Sequence, residues 1–556
     1  METFHAQRQQ NQEIQMAAKG QVQRNGVLTL CLPSLDEKDP LFLEKKRLSN
    51  ARNLGFSFQL RLPSLRGELF LILEDIIRAA RILYLNDVEI YFSEDDDFGP
   101  FSQRNELEAF NAILQMLKSV LSGATPDEMK ALNELQNVTI ARVNSIADQN
   151  IDKMITKKLA TNAEDLLLKW GESHGARSKV MVAYFEGANR GVVAVEDINV
   201  GESALEIPES IIISEDLLHE SDMFEFLKDW DGMTTETMLL LWSMRERYNP
   251  LSIFKKYFET LPDSFNTGLS FGIDALTILH GTLFFEELMQ AKEHLRQQYE
   301  SLCPALCASY PDIFKTELYS WDRYLWACEL WYSNSMKVIF SDGKLRTCLV
   351  PIAGLLNHSL FPHIIHYGRV DSETKCLKFQ LARQCKRGEQ CYLSYGSLPG
   401  SHLVMFYGFL PEGDNPYDII PLDIEVPEAD YSQSQAIEGF RTSHMVRGSW
   451  FSKSSKPQTY GLPTQLLSHL RSVLKSGGME QPSLVPGEDE NERALLETMI
   501  SIFEPMMEGL GERDNINREE LSWDVKLALE YKDLQRRIIS SVLSSCTAGL
   551  KILDIT

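Results

Sequence analysis

Leu349-Val350-Pro351-Ile352-Ala353-Gly354-Leu355-Leu356-Asn357-His358-Ser359 is the stretch on which the reading of this chain turns. An apolar run that ends in an amide, an imidazole and a hydroxyl reads as a buried segment surfacing at a polar turn. Tyr395, in Ser394-Tyr395-Gly396, stands 38 residues beyond Asn357. Between the two lie a strand pair joined at Asp371-Ser372-Glu373-Thr374 and a turn at Gly388-Glu389. An isolated Asn-His-Ser is a capped turn with a surface histidine, and a strand tyrosine is core. It is the order of the pieces that carries information.

Outward from this stretch the texture alternates. Short β-rich runs at 180–185, 191–195 and 204–207 are separated by Gly and Asn turn signals. Helical patterns follow at 234–248, 273–302 and 321–338, with Ser214 placed as an N-cap. Strands resume at Thr347 and continue over 363–370, 376–381 and 390–395. Alternation along the last of these puts Tyr395 with Leu393 and Cys391 on one face. Upstream, Leu107, Phe110, Ile113, Leu114, Leu117 and Leu121 recur at helical spacing, so residues 1–165 are expected to be mostly helical. The acidic run Glu94-Asp95-Asp96-Asp97 lacks calcium-loop spacing and reads as a solvated loop. After Pro427 helices return, interrupted by a Gly, Pro, Ser and acid-rich linker from Ser476 to Glu490. A last helix over 518–543 brings Leu521, Val525 and Leu529 to one face.

Composition narrows the function classes. At 556 residues, 44% hydrophobic and 10% aromatic, the chain can bury more than one core. Its net charge of −24 argues against tight binding to a phosphate backbone and makes a basic or lysine-bearing protein partner electrostatically easier. Nine scattered cysteines form no CxxC pair, so neither a disulfide framework nor a zinc knuckle is expected. Cys303 and Cys307 share a helix face but are two ligands short of a tetrahedral site. The first thirty residues lack an apolar signal region, and no apolar run reaches spanning length. The expectation is an intracellular, cytoplasmic or nuclear monomer, with a plastid address left open. No Gly-x-Gly-x-Gly loop opens a helix after an apolar strand, which disfavours a Rossmann-type enzyme.

Four segments together resemble SET-domain methyltransferases, of the class of the Rubisco large-subunit lysine methyltransferase, the actin-histidine methyltransferase and plant SET-domain proteins. They are the turn Glu186-Gly187-Ala188-Asn189-Arg190-Gly191, the 349–359 stretch, Arg387 to Gly396, and Phe406-Tyr407-Gly408-Phe409-Leu410-Pro411 followed by Asn415-Pro416-Tyr417-Asp418. The fold implied is α+β: a β-rich SET fold of small sheets with a pseudoknot over 166–425, split by a helical insertion at about 214–345. Residues 426–556 would be a helical substrate-binding-like domain, on which a protein substrate docks.

The resemblance also implies roles. Glu186, Gly187, Ala188, Asn334, Asn357, His358, Tyr395 and Phe409 would hold S-adenosylmethionine. Ser333 and Tyr407 would face the substrate, and Tyr395 would be catalytic, with no metal. The implied reaction is lysine N-methylation of a non-histone protein; a histidine acceptor, or a catalytically weak SET-fold peptide-binding module, is the alternative. Two residues depart from the pattern: Gly354 stands where the family often has aspartate, and Asn334 where it has arginine. Histone-type SET enzymes carry a zinc-binding cysteine cluster after the tyrosine, whereas no cysteine here follows Cys391 until Cys546.

Overall fold

The computed structural model describes residues 21–23, 27–62, 64–94, 97–149, 156–159, 162–185, 189–424, 443–452, 460–477, 488–512 and 517–555. Glu186, Gly187, Ala188, the centre of the acidic run and residues 478–487 of the expected linker lie outside them. The chain divides into two compact units. One holds the described residues up to Ser264 with Tyr299–Gly396; the other holds Phe265–Gln298 with the described residues from Ser397 onward.

In the first unit, a three-stranded antiparallel meander of β1 (Gln21–Gln23), β2 (Val27–Cys31) and β3 (Ser57–Arg61) precedes the N-terminal helices. The expectation of a mostly helical region misses this sheet because β2 and β3 are only five residues long and lie 25 residues apart. Leu28 and Leu30 alternate inward from β2. They join Leu73, Ile76 and Ile77 of the helix Arg66–Leu83 and Leu107, Phe110, Ile113 and Leu117 of the helix Gln103–Leu121. Phe361 and Ala382, from the region between Asn357 and Tyr395, complete the same core.

The site region is a set of small sheets. β4 (Thr156–Leu159), β6 (Val180–Phe185) and β7 (Asn189–Ala194) form one antiparallel sheet, and β5 (Arg177–Ser178), β8 (Ser203–Pro208) and β12 (Cys376–Gln380) another. Between β8 and β9 (Ser335–Ile339) the chain runs through the helical insertion; β9 then pairs with β10 (Leu345–Leu349). β11 (Asn357–His358) pairs in parallel with β13 (Tyr392–Leu393).

Four local expectations need correction. The helix expected over 321–338 ends at Asn334, because Met336 and Val338 alternate inward as β9 and pair with Cys348 and Arg346. The stretch 363–370 forms only isolated bridges, at Ile364, Arg369 and Val370. Tyr395 lies two residues beyond the short β13, and Cys391, Tyr392 and Leu393 are all buried, so alternation does not sort this strand. The helix expected over 273–302 is two helices, Ile273–Leu279 and Leu283–Ser309, parted where Gly281 takes a positive φ.

The second unit packs the helices Thr464–Gly477, Glu488–Gly509 and Trp523–Leu553 around Leu466, Leu467, Leu495, Met499, Phe503, Ile539 and Val542. Its last helix starts at Trp523, after a single tight turn at Arg518–Glu520, and runs beyond the expected end. β14 (Ile420–Asp423) and β15 (Ser443–Val446) form an antiparallel pair whose Ile420, Leu422 and Val446 join this core.

Candidate active site

The site grows from β7. Glu164, 2% exposed in the first turn of the helix Asn162–Ser173, accepts the Tyr184 hydroxyl at 2.7 Å and pairs with Arg190 at 3.3 Å, tying both strands of the β6–β7 hairpin to one carboxylate. The Arg190 carbonyl then accepts Asn357 Nδ2 at 2.9 Å. The next residue, Gly191, has no room for a side chain: a Cβ there would lie 2.5 Å from Gln390 Nε2 and 2.7 Å from Asn357 Nδ2. Residues 388–391 continue the sheet beyond β7, through Gly388 N to Ala194 O, Ala194 N to Glu389 O and Cys391 N to Val192 O.

Tyr395 is held at three points. Its backbone N–H donates to His358 Nδ1 at 3.1 Å, its hydroxyl donates to Leu356 O at 2.7 Å, and its ring stacks on the His358 imidazole with centroids 5.2 Å apart at 27°. The first bond assigns His358 Nδ1 as an acceptor and so places its proton on Nε2. With the phenolic proton directed at Leu356, the oxygen offers lone pairs. The parallel β11–β13 register sets this geometry by pairing Asn357 with Tyr392 and His358 with Leu393.

At the end of the helix Trp321–Asn334, Ser333 Oγ donates to Glu329 O at 2.6 Å and Asn334 Nδ2 donates to Ser333 Oγ at 2.7 Å. Asn334 Oδ1 faces Gly354, 3.0 Å from where a Cβ would stand. Just before it, Ile352 has φ 69° and ψ −48°, a rare backbone state for a β-branched residue. Its side chain reaches Gly171, where a Cβ would lie 2.5 Å from Ile352 Cδ1.

Tyr407 and Phe409 belong to the second unit, their centroids 6.5 Å apart at 77°. Tyr407 ends the helix Gly400–Tyr407, and Gly408 caps it at φ 76° with its Cα against the Asn266 carbonyl. Asp418 accepts the Gly400 N–H at 2.5 Å at the start of the same helix, and Asn415 Nδ2 bridges Leu398 O and Asp418 at 2.9 and 3.2 Å. Asn415-Pro416-Tyr417-Asp418 thus anchors the helix start. Burial pushes the Asp418 carboxyl up to about 6.

Among the described residues, one group of soft ligands comes together: His363, Cys385 and Cys391, all fully buried, with ligand atoms within 4.8 Å of one another. Both imidazole nitrogens are already engaged, Nε2 with Glu389 Oε1 at 3.0 Å and Nδ1 by the Tyr392 N–H at 3.1 Å. Two thiols and an imidazole whose nitrogens are both engaged are one ligand short of a tetrahedral set. Burial works against the Glu389 carboxylate, but His363, the Lys386 N–H and Arg383 outweigh it and hold the group at about 2. In the helix Leu283–Ser309, burial pushes the Cys303 thiol up to about 12.

The structure therefore brings His358 and Tyr395 together, sets Asn357 beside Gly191, and sets Asn334, bonded to Ser333, beside Gly354. Sequence reasoning did not single out Glu164, Arg190, Gln390 or Tyr367. The usable signal was Gly388-Glu389-Gln390, a turn immediately upstream of the tyrosine segment.

No family model matches the chain. Actin-histidine N-methyltransferase of Gallus gallus is 24% identical over 316 residues, 55% of this chain and 51% of that protein. The chloroplastic [fructose-bisphosphate aldolase]-lysine N-methyltransferase of Arabidopsis thaliana is 25% identical over 297 residues, 52% of this chain and 59% of that protein. The chain spans about half the length of the curated relatives it matches. Rubisco LSMT bound to sinefungin and monomethyllysine aligns with a TM-score of 0.54 at 19% identity, over 71% of this chain and 94% of that chain. The SET domain of LSMT bound to lysine and AdoHcy gives 0.51 at 19%, over 70% and 92%. The chain accordingly has a SET fold of the Rubisco LSMT type.

Proposed function

We propose that this chain is an S-adenosylmethionine-dependent protein methyltransferase acting on a lysine side chain of a non-histone protein. The observation that carries the reading is the clamp on Tyr395, formed by His358 Nδ1 and Leu356 O next to the Asn357 anchor. The residues present fit the cofactor. Asn357 and His358 offer an amide and a flat ring, held in place because Gly191 lets Asn357 pack directly on the backbone, and Asn334 offers an uncharged amide. Once bound there, S-adenosylmethionine supplies a methyl group activated by a positive sulfur.

The chain's own contribution is placement. In-line attack needs the acceptor nitrogen fixed behind the methyl carbon, and well-oriented reactants gain most of their acceleration from that alone. A lysine amine of ordinary pKa near 10.4 is neutral in only about one molecule in 2,500 at pH 7, a penalty of roughly 4.6 kcal/mol. An apolar channel and a nearby positive charge both favour the neutral amine and can offset this penalty. Tyr395, its proton committed to Leu356, presents an acceptor oxygen that can orient the amine N–H.

We further assign substrate docking to the helical region 426–556, and a monomer. All nine cysteines are free thiols, which suits a reducing cytoplasm or nucleus. Among the described residues, no helix is long and apolar enough to cross a membrane. A histidine acceptor is the second reading, favoured by the match to an actin-histidine enzyme.

The test is calorimetric titration with S-adenosylmethionine, followed by labelled methyl transfer into a cell extract and into purified actin and aldolase. Wild type is expected to bind and to label a protein at lysine, with labelling at least about tenfold weaker in Tyr395→Phe. Absence of binding would remove the reading. Equal labelling by the variant would remove Tyr395 from its role.

A further inference from the structure

The peptide unit joining Ser394 to Tyr395 is held at both ends. Its N–H donates to His358 Nδ1 at 3.1 Å, and its carbonyl accepts the Tyr367 hydroxyl at 2.8 Å. A peptide is planar, so fixing its oxygen and its N–H fixes the plane and the direction in which the Tyr395 side chain leaves the backbone. The His358 end belongs to the segment already described. The Tyr367 end leads elsewhere.

Tyr367 stacks on Phe379, with centroids 5.6 Å apart at 16°. The residue before it, His366, meets Glu108 at 2.8 Å between Nε2 and Oε2. Glu108 is 2% exposed on the helix Gln103–Leu121, far upstream in sequence. Arg104, one turn earlier, lies 3.7 Å from its other carboxylate oxygen and pairs with Glu89 at 2.6 Å. One turn later, Asn111 Nδ2 donates to Ala382 O at 3.2 Å. The run from His363 to Tyr367 is stitched to the tyrosine segment by Ile364 N to Tyr392 O at 3.0 Å and Ser394 N to Ile364 O at 2.9 Å. With Phe361 and Ala382 in the apolar core of the N-terminal helices, that run is fastened at both flanks to residues otherwise remote from the site.

We propose that Glu108, His366 and Tyr367 are positioning residues for Tyr395, through which the N-terminal helices orient the Ser394-Tyr395 peptide. The inference rests on the reading of Tyr395 as the catalytic residue. It gives the N-terminal region a task as a brace of the site. The link is charge-dependent: burial disfavours the His366 imidazolium, but the Glu108 carboxylate outweighs it and the net direction is up, with Arg104 acting against. Glu108, Arg104, its partner Glu89 and the buried Tyr84 phenol are titratable groups in this network. Once His366 is neutral, its ring holds Glu108 less firmly.

Hydrogen exchange on the full-length chain, read by mass spectrometry as protection factors, tests this without needing an acceptor. Tyr367→Phe keeps the ring against Phe379 and removes only the O–H donor; Glu108→Gln keeps the shape and removes the charge. Each is expected to lower protection over 392–396 by about fivefold or more, with residues 180–185 unchanged and S-adenosylmethionine affinity within about twofold. Wild-type protection over 392–396 should fall as pH rises through the raised His366 value, and Glu108→Gln should show that fall at lower pH. Unchanged protection in Tyr367→Phe overturns the proposal, as does a loss spread evenly over the chain. Local loss as expected, in a protein that neither binds S-adenosylmethionine nor labels any acceptor, upholds the brace and sinks the methyl-transfer reading instead.

Discussion

Gly191 shows how much a single position decides. An alanine there would place Cβ within 2.7 Å of two amide nitrogens, those of Gln390 and Asn357. Neither can retreat freely, since Asn357 is bonded to Arg190 O and Gln390 accepts the Tyr392 hydroxyl at 2.9 Å. Gly191→Ala is expected to lower stability by about 1–3 kcal/mol and to abolish binding of S-adenosylmethionine, checked by thermal unfolding and titration. Asn357, His358 and Tyr395 were legible in the sequence because they sit in compact, ordered motifs. Glu164 was not: its partners Tyr184 and Arg190 lie 20 and 26 residues away, and no periodicity links a helix N-terminus to the underside of a hairpin.

Among the elements, the helix Gly400–Tyr407 is defined by what stops it. Gly408 adopts a left-handed conformation, and a Cβ would stand 1.6 Å from Asn266 O. Gly408→Ala should therefore destabilise the second unit by more than about 2 kcal/mol, read as a lowered unfolding midpoint for that unit. The sequence signals fared unevenly at this scale. The strands at 180–185 and 376–381 were legible from β-rich runs and turn residues, and they appear within a residue of the expected bounds. The stretch 363–370 was not, because its hydrogen bonds run to Tyr392, Ser394, Ile339 and Leu377 instead of to one neighbour. The helix ending at Asn334 passes straight into β9, with no glycine or proline to mark the change.

Over the whole molecule, two ion pairs, each with one buried and one half-buried partner, bracket a pH window. Glu389 is held at about 2, below its ordinary 4.5, so its stabilising contribution is present above about 4.5 and is lost as pH falls toward 2. His366 is raised above its ordinary 6.5, so its contribution is complete below about 6.5 and is lost as pH rises through the raised value. Thermal unfolding from pH 3 to 9 should show falling stability on both flanks. Glu389→Gln should flatten the acid flank and His366→Gln the neutral one. The fold class was legible because the order of β, helical and β textures is itself the signature. The division into units was less so, since residues 265–298 group with the C-terminal region across a long sequence interval that carries no mark in composition.

The contact between Asn334 and Gly354 bears on how this site is built. The resemblance implies an aspartate at 354 and an arginine at 334, and the geometry links the two positions. A Cβ at 354 would stand 3.0 Å from Asn334 Oδ1, so the amide lies against the volume that a side chain at 354 would need. Substitutions at the two positions should then be non-additive. Gly354→Asp and Asn334→Arg, each alone, should weaken S-adenosylmethionine binding, while the double variant recovers by at least about 1 kcal/mol over their sum in a thermodynamic cycle. Such a result would show that the two positions share one volume and act on the site as a pair.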